Sequence, residues 1–143
     1  MTSITIPEHY GMVVLACAIA PWMLSGAMGG KVMKARKTHD IPYPNLYGSP
    51  GFHKAADAFN KVQRGHQNML EMTSFYVPAS LVAGLAHPLA VAAGGLCFCI
   101  GSHQYQAGYT KDVAQRNKGL GFLKYVGILT SLVVSIKVSI SMI

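Results

Sequence analysis

The sequence predicts an all-α integral membrane protein, a bundle of four transmembrane helices in a single domain of residues 1–143. Three observations carry that expectation. Charged residues make up 12% of the chain and hydrophobic residues 51%, with a mean hydropathy of +0.32; an ordinary soluble domain carries about twice that share of charge. No Asp, Glu, Lys or Arg occurs from Met72 to Thr110, or from His9 to Gly30. These stretches show no period-2 alternation, so helices rather than barrel strands must satisfy the backbone in lipid. The apolar content excludes disorder, and three cysteines in 143 residues do not suit a disulfide-stapled secreted module.

A spanning helix needs about 20 mostly apolar residues. The first span falls at about 9–33. The preceding Met1–Pro7 segment has no Lys or Arg, so this span reads as an anchor rather than a cleaved signal. The Met72–Thr110 stretch is too long for one span and belongs to two, at about 55–84 and 88–110. Gly84-Leu85-Ala86-His87-Pro88 turns the chain between them, because Pro88 disfavours helix at His87 and suits the first turn of a new one. Pro78 is expected to kink the second span. The fourth, at about 120–142, is apolar except for Lys124 and Lys137, each near an end where a long side chain can snorkel to the headgroups.

Eleven of the 12 Lys and Arg residues fall between spans one and two, between spans three and four, or at the bordering helix ends. Only Lys137 lies on the other side. The positive-inside rule then points both termini away from the cytosol or the mitochondrial matrix. The +7 charge reads as topology and attraction to anionic lipid, not as a nucleic-acid surface. The first basic loop begins Lys34-Ala35-Arg36-Lys37 and contains Pro42 and Pro44; helix resumes near Phe52. If it runs from there to Gly84, it is about 50 Å long and its first half projects beyond the hydrocarbon.

Polar residues converge on the basic face. Arg64, Asn68 and Glu71 are spaced i, i+4, i+7, which places a cation, an amide and a carboxylate on one helical stripe. A carboxylate at that depth needs a partner or a polar cavity; an Arg64–Glu71 pair that merely solvates the helix end is the simpler reading. Tyr105 and Tyr109 are spaced i, i+4, and Arg116 returns to their face if the helix continues. The tyrosines also suit an interfacial aromatic belt. With Arg36, this set suits a small zwitterion bearing extra carboxylates. Cys97 and Cys99 point about 200° apart on a helix and cannot clamp one metal ion; they and Cys17 read as small apolar residues, and no metal site is expected.

Across nearly its whole length the chain resembles the MAPEG family, the membrane-associated proteins of eicosanoid and glutathione metabolism. The resemblance rests on Lys34-Ala35-Arg36-Lys37 with Tyr43-Pro44 and Tyr47, on His87-Pro88, on Tyr105 with Gly108-Tyr109, and on Arg116. Its most specific part is Gln63-Arg64-Gly65-His66-Gln67-Asn68-Met69-Leu70-Glu71, close to the family's Gln-Arg-Ala-His-Gln-Asn-Thr-Leu-Glu. The resemblance implies a homotrimer with glutathione as co-substrate between neighbouring subunits. Arg64, Asn68 and Glu71 would be ligands, Glu71 taking the γ-glutamyl ammonium; Arg36 would pair with a carboxylate; Tyr105 and Tyr109 would line the site. Arg116 corresponds to the catalytic arginine that stabilises the thiolate in a leukotriene synthase of the family. Ser102 and Met72 depart from the family, standing where relatives carry Arg and Tyr, and the usual Gly-Glu-Pro after the tyrosines is absent. The function implied is glutathione transfer or peroxidase chemistry on lipid-borne electrophiles or hydroperoxides, in the endoplasmic reticulum or a mitochondrial membrane. The alternative is a non-catalytic lipid-binding protein, or an accessory subunit of a larger membrane complex.

Overall fold

Residues 5–143 are described by a computed structural model, in which four long helices hold most of the chain. The reading of the N-terminal tail at Met1–Ile4 lies outside these residues. Helix α1 covers Tyr10–Thr38. Its turn at Leu15–Ile19 is π-helical, with the Ala20 N–H bonded to the Leu15 carbonyl. Pro21 explains the wider turn: it has no N–H to offer the carbonyl four residues back, so the ladder shifts to i→i+5 spacing just before it.

Helix α1 runs further than the expected span. Lys34, Arg36 and Lys37 therefore sit in its last turns rather than in a loop. A connection follows, and helix α2 covers Ala56–Ala83. At 28 residues it is about 42 Å long, shorter than expected because Phe52–Ala55 are turn residues. Pro78 lies inside it. Helix α3 covers Pro88–Lys111 with Pro88 in its first turn, and helix α4 covers Leu123–Ser141, preceded by a 3-10 turn at Gly119–Phe122.

By length and composition, Tyr10–Thr38 and Gly119–Ser141 are the two described segments apolar enough to cross a membrane. Helix α3 is long enough but ends in Ser102, His103, Gln104 and Gln106, and α2 begins with a charged turn and carries Arg64, His66 and Glu71.

Polar side chains are buried alongside the apolar core, and large apolar side chains are exposed on the outer faces. Ser80, Ser102, Gln106, Lys124, Ser131 and Ser135 are buried, whereas Trp22, Leu96, Leu129, Val133 and Ile136 are exposed. Lipid is the solvent that makes this arrangement favourable, because the outer apolar faces cost nothing there and some interior polar groups are linked across helices. One such link joins Ser80 Oγ to Ser131 Oγ at 2.9 Å between α2 and α4.

The main core runs down the bundle axis through Val13, Cys17, Met28, Met69, Tyr76, Val91, Phe98 and Ile128. Tyr76 stacks on Phe98 with ring centroids 3.9 Å apart, and its hydroxyl donates to Cys17 Sγ at 3.4 Å. A smaller core of Val32, Ala35, Ile41, Phe59 and Val62 ties the loop after α1 onto the start of α2.

Candidate active site at the basic end of the bundle

Arg64 and Glu71 face each other across two turns of α2. The Arg64 Nη1 to Glu71 Oε1 distance is 2.7 Å, and both side chains are about two-fifths exposed. The spacing i, i+7 allows this because it falls just short of two full helical turns, which brings both residues back to one face. The pair lies at the helix surface and leaves both groups partly open to a ligand.

Asn68 lies between them in sequence but takes its partner from elsewhere. Its Oδ1 accepts a 2.6 Å hydrogen bond from Lys124 Nζ on α4. Lys124 is 1% exposed. Its ammonium also lies 3.1 Å from the ring centroid of Tyr105 and 4.9 Å from that of Tyr125. This corrects the expectation that Lys124 snorkels to the headgroups: the residue points into the bundle. The reason is its register on α4. Lys124, Gly127, Ile128, Ser131, Ser135 and Val138 are buried, a helical stripe of small and polar side chains facing α2 and α3.

Tyr105 is buried, and its ring is 5.7 Å from that of Tyr109 one turn on. Beyond them α3 stops at Lys111, and Asp112 is extended. The Asp112 side chain accepts from the Ala114 N–H at 3.1 Å and so starts a 3-10 turn at Val113–Gln115. Arg116 therefore does not return to the tyrosine face by continued helix. It comes near that end of α3 because the chain folds back: a Cβ at Gly108 would lie 3.3 Å from Arg116 Cα, and one at Gly121 would meet the Arg116 carbonyl while lying 3.7 Å from Tyr105 Cα. Arg116 Nη1 donates to the Val113 carbonyl at 2.8 Å, and the side chain is half-buried.

Arg36 stands apart from these residues. Its Nη1 donates to the carbonyls of Ile41 at 2.9 Å and Asn45 at 2.7 Å. The guanidinium lies 4.4 Å from the ring centroid of Tyr43 and 4.8 Å from that of Phe59. Nε is buried without a partner among the described residues. Arg36 thus holds the loop after α1 against α2 through Nη1.

The structure thus gathers Arg64, Asn68, Glu71, Tyr105, Tyr109 and Arg116 around one end of α2, α3 and the α3–α4 connection, with Arg36 in a neighbouring cluster. Sequence reasoning missed Lys124 and Gln106. Gln106 is 1% exposed and contacts α1 and α2 carbonyls at 3.5 Å, and its Oε1 is buried without a partner among the described residues. The polar stripe of α4 was the available signal for Lys124. For Gln106 the only signal was its position next to Tyr105.

A family model matches residues 12–137, all but the two ends of the chain. The chain belongs to the MAPEG family. MAPEG proteins are membrane-associated and include glutathione transferases and related proteins, and members commonly use glutathione. The match reaches all four helices and takes in every residue of the MAPEG chain discussed as a site candidate. It also supplies the membrane setting that the exposed apolar faces of α1 and α4 require.

Proposed function

We propose that this MAPEG protein is a membrane-bound glutathione transferase or peroxidase acting on lipid-borne electrophiles or hydroperoxides. Within the family we read it as similar to microsomal glutathione S-transferase 3. The observation that carries the reading is the cluster of Arg64, Glu71, Asn68, Tyr105 and Arg116 at one end of an otherwise apolar bundle. It offers cations for carboxylates, a carboxylate for an ammonium and hydroxyls for a thiolate, the complement of a zwitterionic thiol peptide. All four helices span the bilayer in this reading, and the protein assembles as a homotrimer with glutathione between subunits. The apolar outer grooves deliver a lipophilic partner from the membrane of the endoplasmic reticulum or mitochondrion.

In the proposed mechanism Arg116 stabilises the thiolate. A thiol of pKa about 8.5 is a few per cent ionised at neutral pH. A guanidinium about 4 Å from sulfur at an effective dielectric near 20 favours the anion by about 4 kcal/mol, which lowers that pKa by two to three units. The thiolate then attacks the electrophile without a separate general base. Arg64 and Glu71 hold the two ends of the peptide.

One residue favours a second reading, a non-catalytic lipid-binding protein or an accessory subunit of a larger membrane complex: Arg36 is committed to loop carbonyls. Thermal unfolding separates the readings. Glutathione at about a hundredfold excess over its Kd stabilises a true site by about 2.7 kcal/mol. An unchanged Tm, with no conjugation or hydroperoxide reduction by the unaltered protein, rejects the enzyme.

A further inference from the structure

Among the described residues only Arg36 and Lys124 are buried charged side chains, and Lys124 is the deeper. The ion pairs among those residues join His9 to Glu8, Lys61 to Asp57 and Arg64 to Glu71, so Lys124 has no acidic partner among them. Burying an ammonium without a counter-ion is expensive, and an apolar residue of similar volume would stabilise the bundle at least as well. The backbone nevertheless accommodates this lysine closely. A Cβ at Gly101 on α3 would collide with the Lys124 backbone, so the absence of a side chain there lets the start of α4 approach.

The geometry points to a task. An ammonium has only donors, so it must face Asn68 Oδ1 and not Nδ2. The 2.6 Å bond therefore turns the two Nδ2 hydrogens away from Lys124. At 3.1 Å over the Tyr105 ring, the same ammonium makes a cation–π contact that holds the ring, and with it the phenol O–H, in place. One buried side chain thus fixes the orientation of two neutral donor groups.

We propose that Lys124 is a positioning residue that holds the Asn68 amide and the Tyr105 phenol as donors for the anionic groups of glutathione. The proposal rests on the glutathione reading above. It adds that the anion contacts Asn68 and Tyr105 and that Lys124 acts through them.

The test uses the full-length protein in lipid nanodiscs, with Lys124→Met and Lys124→Arg. Glutathione binding is measured by calorimetry, and kcat and KM with a chlorodinitrobenzene electrophile. The Met variant is expected to raise both Kd and KM for glutathione about tenfold or more, with Tm unchanged or higher. The Arg variant, which keeps the cation, is expected to recover most of that loss. A Met variant whose Kd and KM stay within about twofold of the unaltered protein overturns the proposal and leaves the glutathione reading intact. A Met variant that loses Tm and binding together, without repair by Arg, makes Lys124 a structural residue and overturns it as well. No glutathione binding by the unaltered protein overturns both readings.

Discussion

Gly65 on α2 lies flat against Gln106 on α3. A Cβ at position 65 would stand 2.8 Å from Gln106 Cγ and 3.0 Å from Gln106 Cα. The contact involves backbone as well as side chain, so rotation of Gln106 alone cannot relieve it. Gly65→Ala is expected to force α2 and α3 apart and to destabilise the protein by about 1–3 kcal/mol, although alanine is the better helix former. Circular dichroism melts of the variant in detergent check this. An unchanged or higher Tm would mean that the two helices are not in contact at Gly65.

That contact sits inside the most recognisable motif of the chain, which illustrates what the sequence carried and what it did not. The uncharged stretches, the Gly84–Pro88 turn and the Arg64, Asn68, Glu71 stripe are local, and spacing alone resolves them. The environment of Lys124 is not local. A lysine near the start of an apolar helix has the same spacing whether it reaches headgroups or points inward, and the rotation of α4 about its axis decides. The end of α3 was hidden for a different reason. Neither glycine nor proline stands at Asp112; the helix stops because the Asp112 side chain takes the Ala114 N–H. The burial of Arg36 depended on Phe59, which stands beyond the intervening loop on another helix, so no helical periodicity connects the two.

Arg36 offers a direct way to separate loop-holding from ligand binding. Its Nη1 joins two loop carbonyls while Tyr43 and Phe59 flank the guanidinium. A lysine keeps the charge but not the planar fork. Arg36→Lys is expected to cost about 1–3 kcal/mol of stability and to expose the 39–55 connection to protease, with glutathione affinity little changed. Limited proteolysis and a binding titration on the same preparation read both effects. A variant with an intact connection and a large loss of affinity would instead place Arg36 at the ligand.

The Arg64–Glu71 pair gives the opposite expectation. Both partners are partly exposed, so the pair contributes at most about 1 kcal/mol to folding. In the proposed site its weight lies in binding, because Glu71 would take the ligand ammonium. Glu71→Gln is expected to leave Tm almost unaltered and to raise KM for glutathione about tenfold or more. A larger effect on Tm than on KM would make the pair structural.

Arg116 makes the sharpest kinetic prediction. Its side chain is half-buried at the α3–α4 connection, and its one hydrogen bond among the described residues runs to the Val113 carbonyl, so truncation should leave the bundle folded. Under the proposed mechanism, loss of the guanidinium removes stabilisation from the thiolate but not from the neutral thiol. The pKa of bound glutathione must then rise, and the rate lost at neutral pH must return at higher pH as the thiol ionises unaided. For Arg116→Ala, kcat/KM near pH 7 is expected to fall about a hundredfold, with the rising limb of the pH–rate profile displaced upward by about two units. Arg116→Lys, which keeps a cation, should fall between the two. Steady-state rates across the pH range measure the displacement, and the ultraviolet absorbance of the bound thiolate tracks it independently of turnover. If the Ala variant is slow at every pH and the limb does not move, Arg116 positions the peptide and the thiolate is stabilised by another group.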